Sequence, residues 1–264
     1  MTKTTGERVF EHYKEATEYF KDNQIVGIFL QGSQNYGLDI PGSDVDTKLI
    51  VAPTFKEIAM NQKPVSTTHI RFNEEHIDFK DIRLYIQTFR KQNLNFLEIL
   101  FTKYFIVNPL YEKEWNRLVQ ERELVARMNP HRAVQSMKGI ALEKYHALKH
   151  PYPSKLAVLD KFGYDPKQLH HLVRVDEYLA RYIDGEKYED CLISKQPDYL
   201  KAIKTGFFSL EAAEELANRT KEHVEMMADL FREQYPEEED PIALELLEDV
   251  QYNIMKIAVE QELF

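Results

Sequence analysis

The chain has 264 residues, 43% of them hydrophobic, which is enough to bury a core in one large domain or two modest ones. Its single cysteine, Cys191, excludes an intramolecular disulfide, the N-terminus lacks the pattern of a secretory leader, and no apolar run reaches the length of a membrane-spanning helix. A cytoplasmic protein without a membrane partner is therefore expected.

The net charge of −10 argues against nucleic acid as a partner, but the charge is unevenly distributed. Residues 131–174 carry eight Lys or Arg against three acids, together with five of the nine histidines. Residues 205–264 carry sixteen acids against four bases. The acidity lies mostly in the tail, so the basic segment stays compatible with a phosphate-bearing partner.

The hydrophobic pattern predicts an α/β arrangement up to residue 109. An amphipathic helix over the first twenty residues precedes buried strands at 24–30 and 47–51, and one or two strands follow within 69–79. Asp81 is predicted to cap the next helix. A helical segment at 94–101 and a short strand at 104–107 complete this half.

From Leu110 onward the pattern is almost entirely helical, with breaks at Pro130, 150–153, Pro166, Gly185 and Pro236. A charged linker at 235–241 precedes a final amphipathic helix over 242–259. The change in composition predicts a catalytic domain at 1–109 and a helical domain at 110–264, with the acidic tail at 205–264.

The most informative segment is GSQNYGLDIPGSDVD, residues 32–46, between two predicted strands. A Gly-Ser pair after a strand and before a helix lets the backbone approach a phosphate closely, with helix N–H groups and the Ser33 hydroxyl as donors. The segment is not the phosphate loop of ordinary NTPases, because Leu38 follows Gly37 where that motif requires lysine.

Asp44 and Asp46 are one residue apart, so on an extended strand both carboxylates project from one face while Val45 faces the core. Magnesium prefers hard oxygen ligands, and it would neutralise two like charges held this close. Taken singly, a Gly-Ser turn or an Asp-x-Asp is more often an ordinary turn or surface loop. A strand, Gly-Ser, ten residues and Asp-x-Asp opening a second strand form a far more specific pattern.

This joint pattern resembles the nucleotidyltransferases of the DNA polymerase β superfamily, which often add a third carboxylate on a neighbouring strand. Asp78, between two apolar residues, matches that acid, whereas Asp81 stands where a helix cap belongs. The resemblance implies an α+β fold, with an N-terminal polymerase β-like mixed sheet flanked by helices and a C-terminal all-helical domain. It assigns Asp44, Asp46 and Asp78 as catalytic ligands of two Mg²⁺ ions, for which Mn²⁺ can substitute.

Further matches are closest to the polymerase β-like family associated with RNA repair and RNA ligases. In that family the Gly-Ser turn runs into Tyr-Gly-Leu and a Pro before Ser-Asp-x-Asp, as in NYGLDIPGSDVD here. An Asn-centred turn leading into Leu-Glu is matched by KQNLNFLEILF, with Asn93 and Glu98. Gln92 and Leu94 depart from the family, where Gly and Pro are expected.

A second block that resembles the family, YDPKQLHHLVRVDEYLARYIDGE, places Lys167, His171 and Arg174 on one helix face, where they could bind triphosphate or the acceptor backbone. The alternative is a solvated basic face. The resemblance covers about residues 24–210. It assigns nucleotide binding to these three residues and to Gly32, Ser33 and Ser43.

The implied activity transfers a nucleoside monophosphate from a nucleoside triphosphate to an acceptor hydroxyl and releases pyrophosphate. An RNA 3′ end is the leading acceptor, because the family is associated with RNA repair and residues 131–174 are basic. The alternatives are a protein hydroxyl modified with AMP or UMP, a cyclic dinucleotide product, and a catalytically silent nucleotide- or RNA-binding module.

Overall fold

The computed structural model describes residues Lys3 to Leu263, which form two compact units. The first unit comprises the chain up to Asn35, Pro41–Met128 and the chain from Glu239 onward. The second comprises Tyr36–Ile40 and Asn129–Glu238. Within residues 3–263 no helix is long and apolar enough to cross a bilayer.

A five-stranded mixed sheet in the order β3-β4-β2-β1-β5 forms the centre of the first unit. Strand β2 pairs antiparallel with β1 and parallel with β4. The strands are β1 Ile25–Gln31, β2 Asp46–Val51, β3 Ser66–Ile70, β4 His76–Asp81 and β5 Phe105–Val107. The helices are α1 Thr5–Ala16, α2 Phe55–Ala59, α3 Ile82–Arg90, α4 Leu94–Leu97, α5 Glu112–Gln120, α6 Arg122–Ala126 and α13 Pro241–Leu263.

The sheet face that packs against α1 carries a hydrophobic core. Because side chains alternate along a strand, Ile28, Leu49 and Ile77 point to this face from three neighbouring strands, and α1 adds Val9. Val45 is fully buried in the same core, as its position between two aspartates predicts. The opposite face of the sheet carries the alternate residues of these strands, among them Asp46 and Lys48 of β2 and Asp78 of β4.

Side-chain caps begin α3 and α4. The Asp81 carboxylate accepts a hydrogen bond from the backbone N–H of Arg83 and caps α3, which confirms the prediction. Asn93 caps α4 in the same way, through the N–H of Asn95. The predicted segment at 94–101 is therefore a short α-helix, and a 3₁₀ turn at 98–100 extends it.

The second unit is helical. Its helices α7 and α9 begin at Pro130 and Pro166, because proline needs no hydrogen-bond partner at the first helical position. The helices are α7 Pro130–Ala147, α8 Leu156–Phe162, α9 Pro166–Ile183, α10 Tyr188–Leu192, α11 Pro197–Lys204 and α12 Leu210–Gln234.

The α+β class, with a mixed sheet followed by helices, is confirmed, but the compact units divide at other places than residue 109. Helices α5, α6 and α13 belong to the sheet unit. The Trp115 ring of α5 lies 4.2 Å from that of Phe29 in β1, and Asn253 of α13 donates to Glu114 of α5 at 3.0 Å. Composition marks these segments as helical, whereas packing decides which layer they join.

Candidate functional site

The Gly-Ser turn and the acid pair meet at one end of the sheet. In the antiparallel pairing of β1 and β2, Gln31 lies opposite Asp46. Gly32 and Ser33, which follow β1, are thereby brought beside Asp44, which precedes β2. The Gln34 side chain joins the two, because its Nε2 donates to the backbone oxygen of Asp44 at 2.5 Å.

Hydrogen bonds from outside the motif hold the turn. Gly32 has a φ of +105°, a conformation that favours glycine, and its N–H donates to the buried Glu98 carboxylate at 3.2 Å. The Asn35 amide donates to the carbonyl of Leu30, and Thr102 donates to Asn35 at 2.6 Å. Glu98, which the family resemblance singled out, therefore fixes the backbone of the turn.

The expectation of a helix directly after Gly32-Ser33 is wrong. A single 3₁₀ turn, Ser33–Asn35, follows β1, and the chain then enters the second unit at Tyr36. A phosphate at this turn would gain no helix dipole. The donors that remain are the Ser33 hydroxyl and the backbone N–H groups that follow Gly32.

Asp46, the first residue of β2, projects from the sheet face away from α1, and Asp44 lies just before the strand, separated from Asp46 by the buried Val45. Asp44 is exposed, and Asp46 is partly exposed with its Oδ1 accepting from the His76 backbone N–H at 3.0 Å. Magnesium is usually held by one or two carboxylates together with waters and substrate phosphates. Two accessible carboxylates one residue apart, beside a turn that can receive phosphates, fit that donor set.

Asp78 projects from the same sheet face as Asp46, but it lies two residues further along the sheet. In the parallel pairing of β2 with β4, Asp78 lies opposite Lys48. Lys48 Nζ is 2.8 Å from Asp78 Oδ2, and the Thr68 hydroxyl donates to Oδ1 at 2.5 Å. Burial would raise the pKa of Asp78, but the charge and hydrogen bond of Lys48 and the bond from Thr68 lower it below the usual value.

Both oxygens of Asp78 are thus bound by protein groups. Among residues 3–263, no three His, Cys, Asp or Glu side chains come together as a group that could hold a metal ion. The role of Asp78 as a third metal ligand stays a prediction, and taking it up would mean exchanging Lys48 or Thr68 for the ion.

Lys48 is a member of this face that the sequence analysis missed. It is only 3% exposed, and its ammonium lies 4.3 Å from the centre of the Phe96 ring. The sequence does indicate its position, because Lys48 is two residues after Asp46 and residues two apart on a strand lie on the same face. Its partner was not visible, because the register between β2 and β4 joins residues thirty positions apart.

In the second unit, Lys167, His171 and Arg174 lie along α9 in different environments. Lys167 is exposed, whereas Arg174 is only 8% exposed and its guanidinium carbon lies 3.7 Å from the centre of the Tyr36 ring. Arg174 Nη2 is buried, with no hydrogen-bond partner in the described chain. Burial, then the charges of His170 and Arg174, hold the pKa of His171 well below its ordinary value, so His171 is neutral.

The three residues therefore do not form a uniform solvated basic face. Lys167 is solvated, whereas Arg174 is buried. A buried guanidinium with an unused N–H is costly unless an acceptor reaches it, and a phosphate oxygen is such an acceptor.

Most bases of residues 131–174 are paired with acids of the same unit. Of the eight, five form ion pairs, which lowers the positive charge that the segment offers to a partner. The pairs are Arg132–Glu237, Lys138–Asp229, Lys144–Glu143, Lys149–Glu214 and Lys155–Asp165. Several acidic partners come from α12 and the linker after it, so part of the acidic tail neutralises the basic segment.

No protein-family model matches the chain, and no curated protein matches it significantly. Among solved structures, the chain is similar to a nucleotidyltransferase-like protein from Exiguobacterium sibiricum 255-15, with 11% sequence identity and a TM-score of 0.33. The similarity covers 86% of this chain and 76% of the other. With so low an identity and TM-score, this similarity assigns neither a family nor an activity to the chain.

Proposed function

We propose that the chain is a metal-dependent nucleotidyltransferase of the polymerase β type, which transfers a nucleoside monophosphate to an acceptor hydroxyl and releases pyrophosphate. One observation supports this most directly. The register of β1 and β2 brings a Gly-Ser turn, in which Gly32 has a positive φ, beside two accessible carboxylates that are one residue apart, Asp44 and Asp46. A phosphate-binding turn next to hard oxygen ligands is what a magnesium–triphosphate complex requires.

In this proposal Asp44 and Asp46 hold Mg²⁺, with Asp78 as the third carboxylate. Magnesium, when bound, would neutralise the triphosphate and lower the pKa of the attacking hydroxyl. The Ser33 hydroxyl and the neighbouring backbone position the phosphates, and Ser43 precedes the acid pair on the same segment. Lys48 balances the charge of Asp78. Most of the rate would come from positioning and charge neutralisation.

The proposed acceptor is an RNA 3′ end. The observation in its favour is the environment of α9, where Lys167 is exposed and Arg174 has a buried N–H that no group of residues 3–263 accepts. Both are suited to phosphate oxygens, whether of the acceptor backbone or of the triphosphate. His171 beside them is neutral and can take part as a hydrogen-bonding group.

The decisive test incubates the protein with each α-labelled NTP in turn, Mg²⁺ and total cellular RNA, and then treats the products with ribonuclease or protease. We expect label that ribonuclease removes and protease does not, and chelation of the metal should abolish it. Protease-sensitive label would instead identify a protein AMPylase or UMPylase, and a labelled small product a cyclic dinucleotide synthase. NTP binding without any transfer would identify a silent binding module.

A further inference from the structure

A buried carboxylate that the proposed mechanism does not use lies directly behind the acid pair. Glu75, in the turn between β3 and β4, is 1% exposed. Its Oε1 accepts from the backbone N–H of Val45 at 3.3 Å and from Arg8. Its Oε2 accepts from His12 Nε2 at 2.9 Å and from Arg71 at 2.7 Å.

The acid pair needs this anchor because half of it lies outside the sheet. Strand β2 begins at Asp46, so residues 43–45 have no strand partner. Side chains bind their backbone groups instead. Arg8 donates to the carbonyl of Ser43 at 3.3 Å, Gln34 donates to that of Asp44, and Glu75 accepts the N–H of Val45. Glu75 thereby replaces the ladder hydrogen bond that a neighbouring strand would have supplied.

The partners of Glu75 hold its carboxylate in one orientation. Arg8 and Arg71 supply two positive charges. Burial, followed by the charge of Arg71, lowers the pKa of His12 to about 4, so its ring is neutral. Nε2–H then donates to Glu75, while Nδ1 accepts from the Thr47 hydroxyl at 2.9 Å. The network therefore contacts the acid-bearing segment at two places, the backbone N–H of Val45 through Glu75 and the hydroxyl of Thr47 through His12.

We propose that Glu75 is a positioning residue that holds Asp44 at a fixed place beside Asp46, so that the two carboxylates bind one divalent cation together. The inference rests on the proposed function. Two like charges this close repel, and a segment outside the sheet would yield to that repulsion unless its backbone were tied. The Arg8–Glu75–Val45 chain of contacts ties it from the core side and leaves the carboxylates free.

The test replaces Glu75 by glutamine, which keeps the shape but turns one acceptor into a donor that faces donors. Hydrogen exchange of residues 42–47, followed by mass spectrometry, reports the order of the segment. Mn²⁺ titration, with the free ion followed by electron paramagnetic resonance, reports metal binding. We expect exchange in 42–47 to accelerate and the Mn²⁺ dissociation constant to rise at least tenfold.

Glu114→Gln is the matched control. Glu114 is a buried carboxylate of the same unit, 5% exposed, which binds Arg117 and Asn253 and has no contact with the acid pair. It should lower the melting temperature comparably while leaving both readouts at parental values. Arg8→Gln, at a side chain 28% exposed, is the milder second variant and should change both readouts in the same direction if Glu75→Gln does not fold.

Parental exchange and parental Mn²⁺ affinity in Glu75→Gln, or in Arg8→Gln where it is the variant that folds, would overturn the inference. An equal loss in Glu114→Gln would also overturn it, since general destabilisation would then explain the effect. A parent protein that binds no Mn²⁺ would contradict the proposed function instead. The exchange of residues 42–47 would still decide whether Glu75 orders the segment.

Discussion

Asp44 and Asp46 face opposite demands, because their charges must be close enough to share a cation and yet must not force the backbone apart in its absence. Contacts of the neighbouring residues fix the backbone and one of the carboxylates. Val45 is buried, and the His76 backbone N–H holds the Asp46 carboxylate. Among residues 3–263, no lysine or arginine forms an ion pair with either aspartate, and Asp44 is exposed and Asp46 partly exposed.

Replacing Asp46 by Asn should lower turnover by about a hundredfold or more while leaving the fold intact, because one charge at the metal site is lost. The asparagine oxygen can still accept from the His76 N–H, so the melting temperature in metal-free buffer should not fall. Steady-state kinetics and circular dichroism would measure the two effects. Parental turnover in this variant would remove Asp46 from the site.

Short turns between strands and helices determine where several side chains around the site lie. The predicted strand region at 69–79 is a hairpin, in which β3 and β4 flank a turn at 71–75 and Glu74 takes a positive φ. That turn is what brings Glu75 to the acid-bearing segment. A second turn joins α3 to α4 at Gln92, where the family pattern has glycine and the backbone φ is +53°.

Gln92→Gly should destabilise the protein by about 1 to 3 kcal/mol, although glycine would relieve the left-handed backbone. The Gln92 side chain is fully buried, and its amide donates to the carbonyls of Phe89 and Val125. Relief of backbone strain is worth only about 1 kcal/mol, which is less than the lost hydrogen bonds and packing. Urea unfolding would measure the change, and a more stable variant would contradict this account.

On the scale of the whole molecule, the basic and acidic segments that are separate along the chain are partly paired in the folded structure. Five of the eight bases of the basic segment are paired with acids, and three of these acids lie in α12 or the linker after it, as Lys138 with Asp229 shows. Lys167 stays exposed on α9. Nucleic-acid binding through this unit should therefore depend on a few cations and not on the total charge of the segment.

Lys167→Gln should weaken RNA binding and flatten its salt dependence by about one unit of slope for the lost phosphate contact. Lys138→Gln changes the net charge equally but removes a cation that Asp229 already neutralises, so its slope should match that of the parent. Fluorescence anisotropy of a labelled oligoribonucleotide at several salt concentrations would distinguish them. Equal slopes in all three proteins would leave the RNA proposal resting on resemblance alone.

Acidification should destabilise the helical unit through His170. This side chain is 1% exposed and donates from Nδ1 to the carbonyl of Leu200, and burial lowers its pKa from 6.5 to about 4. The unfolded chain therefore binds more protons below pH 6.5, so stability is lost as pH falls from 6.5 towards 4. Between pH 7 and pH 5 the loss at this site should be about 2 kcal/mol.

Denaturant unfolding at the two pH values would measure this loss. His170→Gln can keep a donor for the Leu200 carbonyl without titrating, so it should unfold with a pH dependence smaller by that amount. The same dependence in the variant and the parent would show that His170 is not the group responsible.

The sequence by itself determined the features that depend on a few neighbouring residues. Alternation along the sequence predicted β1 and β2 and the burial of Val45, because a side-chain period of two is a local property. The shared face of Asp44 and Asp46 stays a prediction, since Asp44 precedes the strand. The Asp81 cap was equally local, since its partner is two residues away. The third carboxylate, the metal ions and the acceptor remain predictions.

Only the tertiary structure decided which distant groups meet. The register of β2 with β4 placed Lys48 beside Asp78, and the β3–β4 turn carried Glu75 to Val45. Packing also assigned α13 to the sheet unit and buried Arg174 against Tyr36. Such pairings depend on the free energy of the whole packed arrangement, and a one-residue shift of register would change every partner without changing any local pattern.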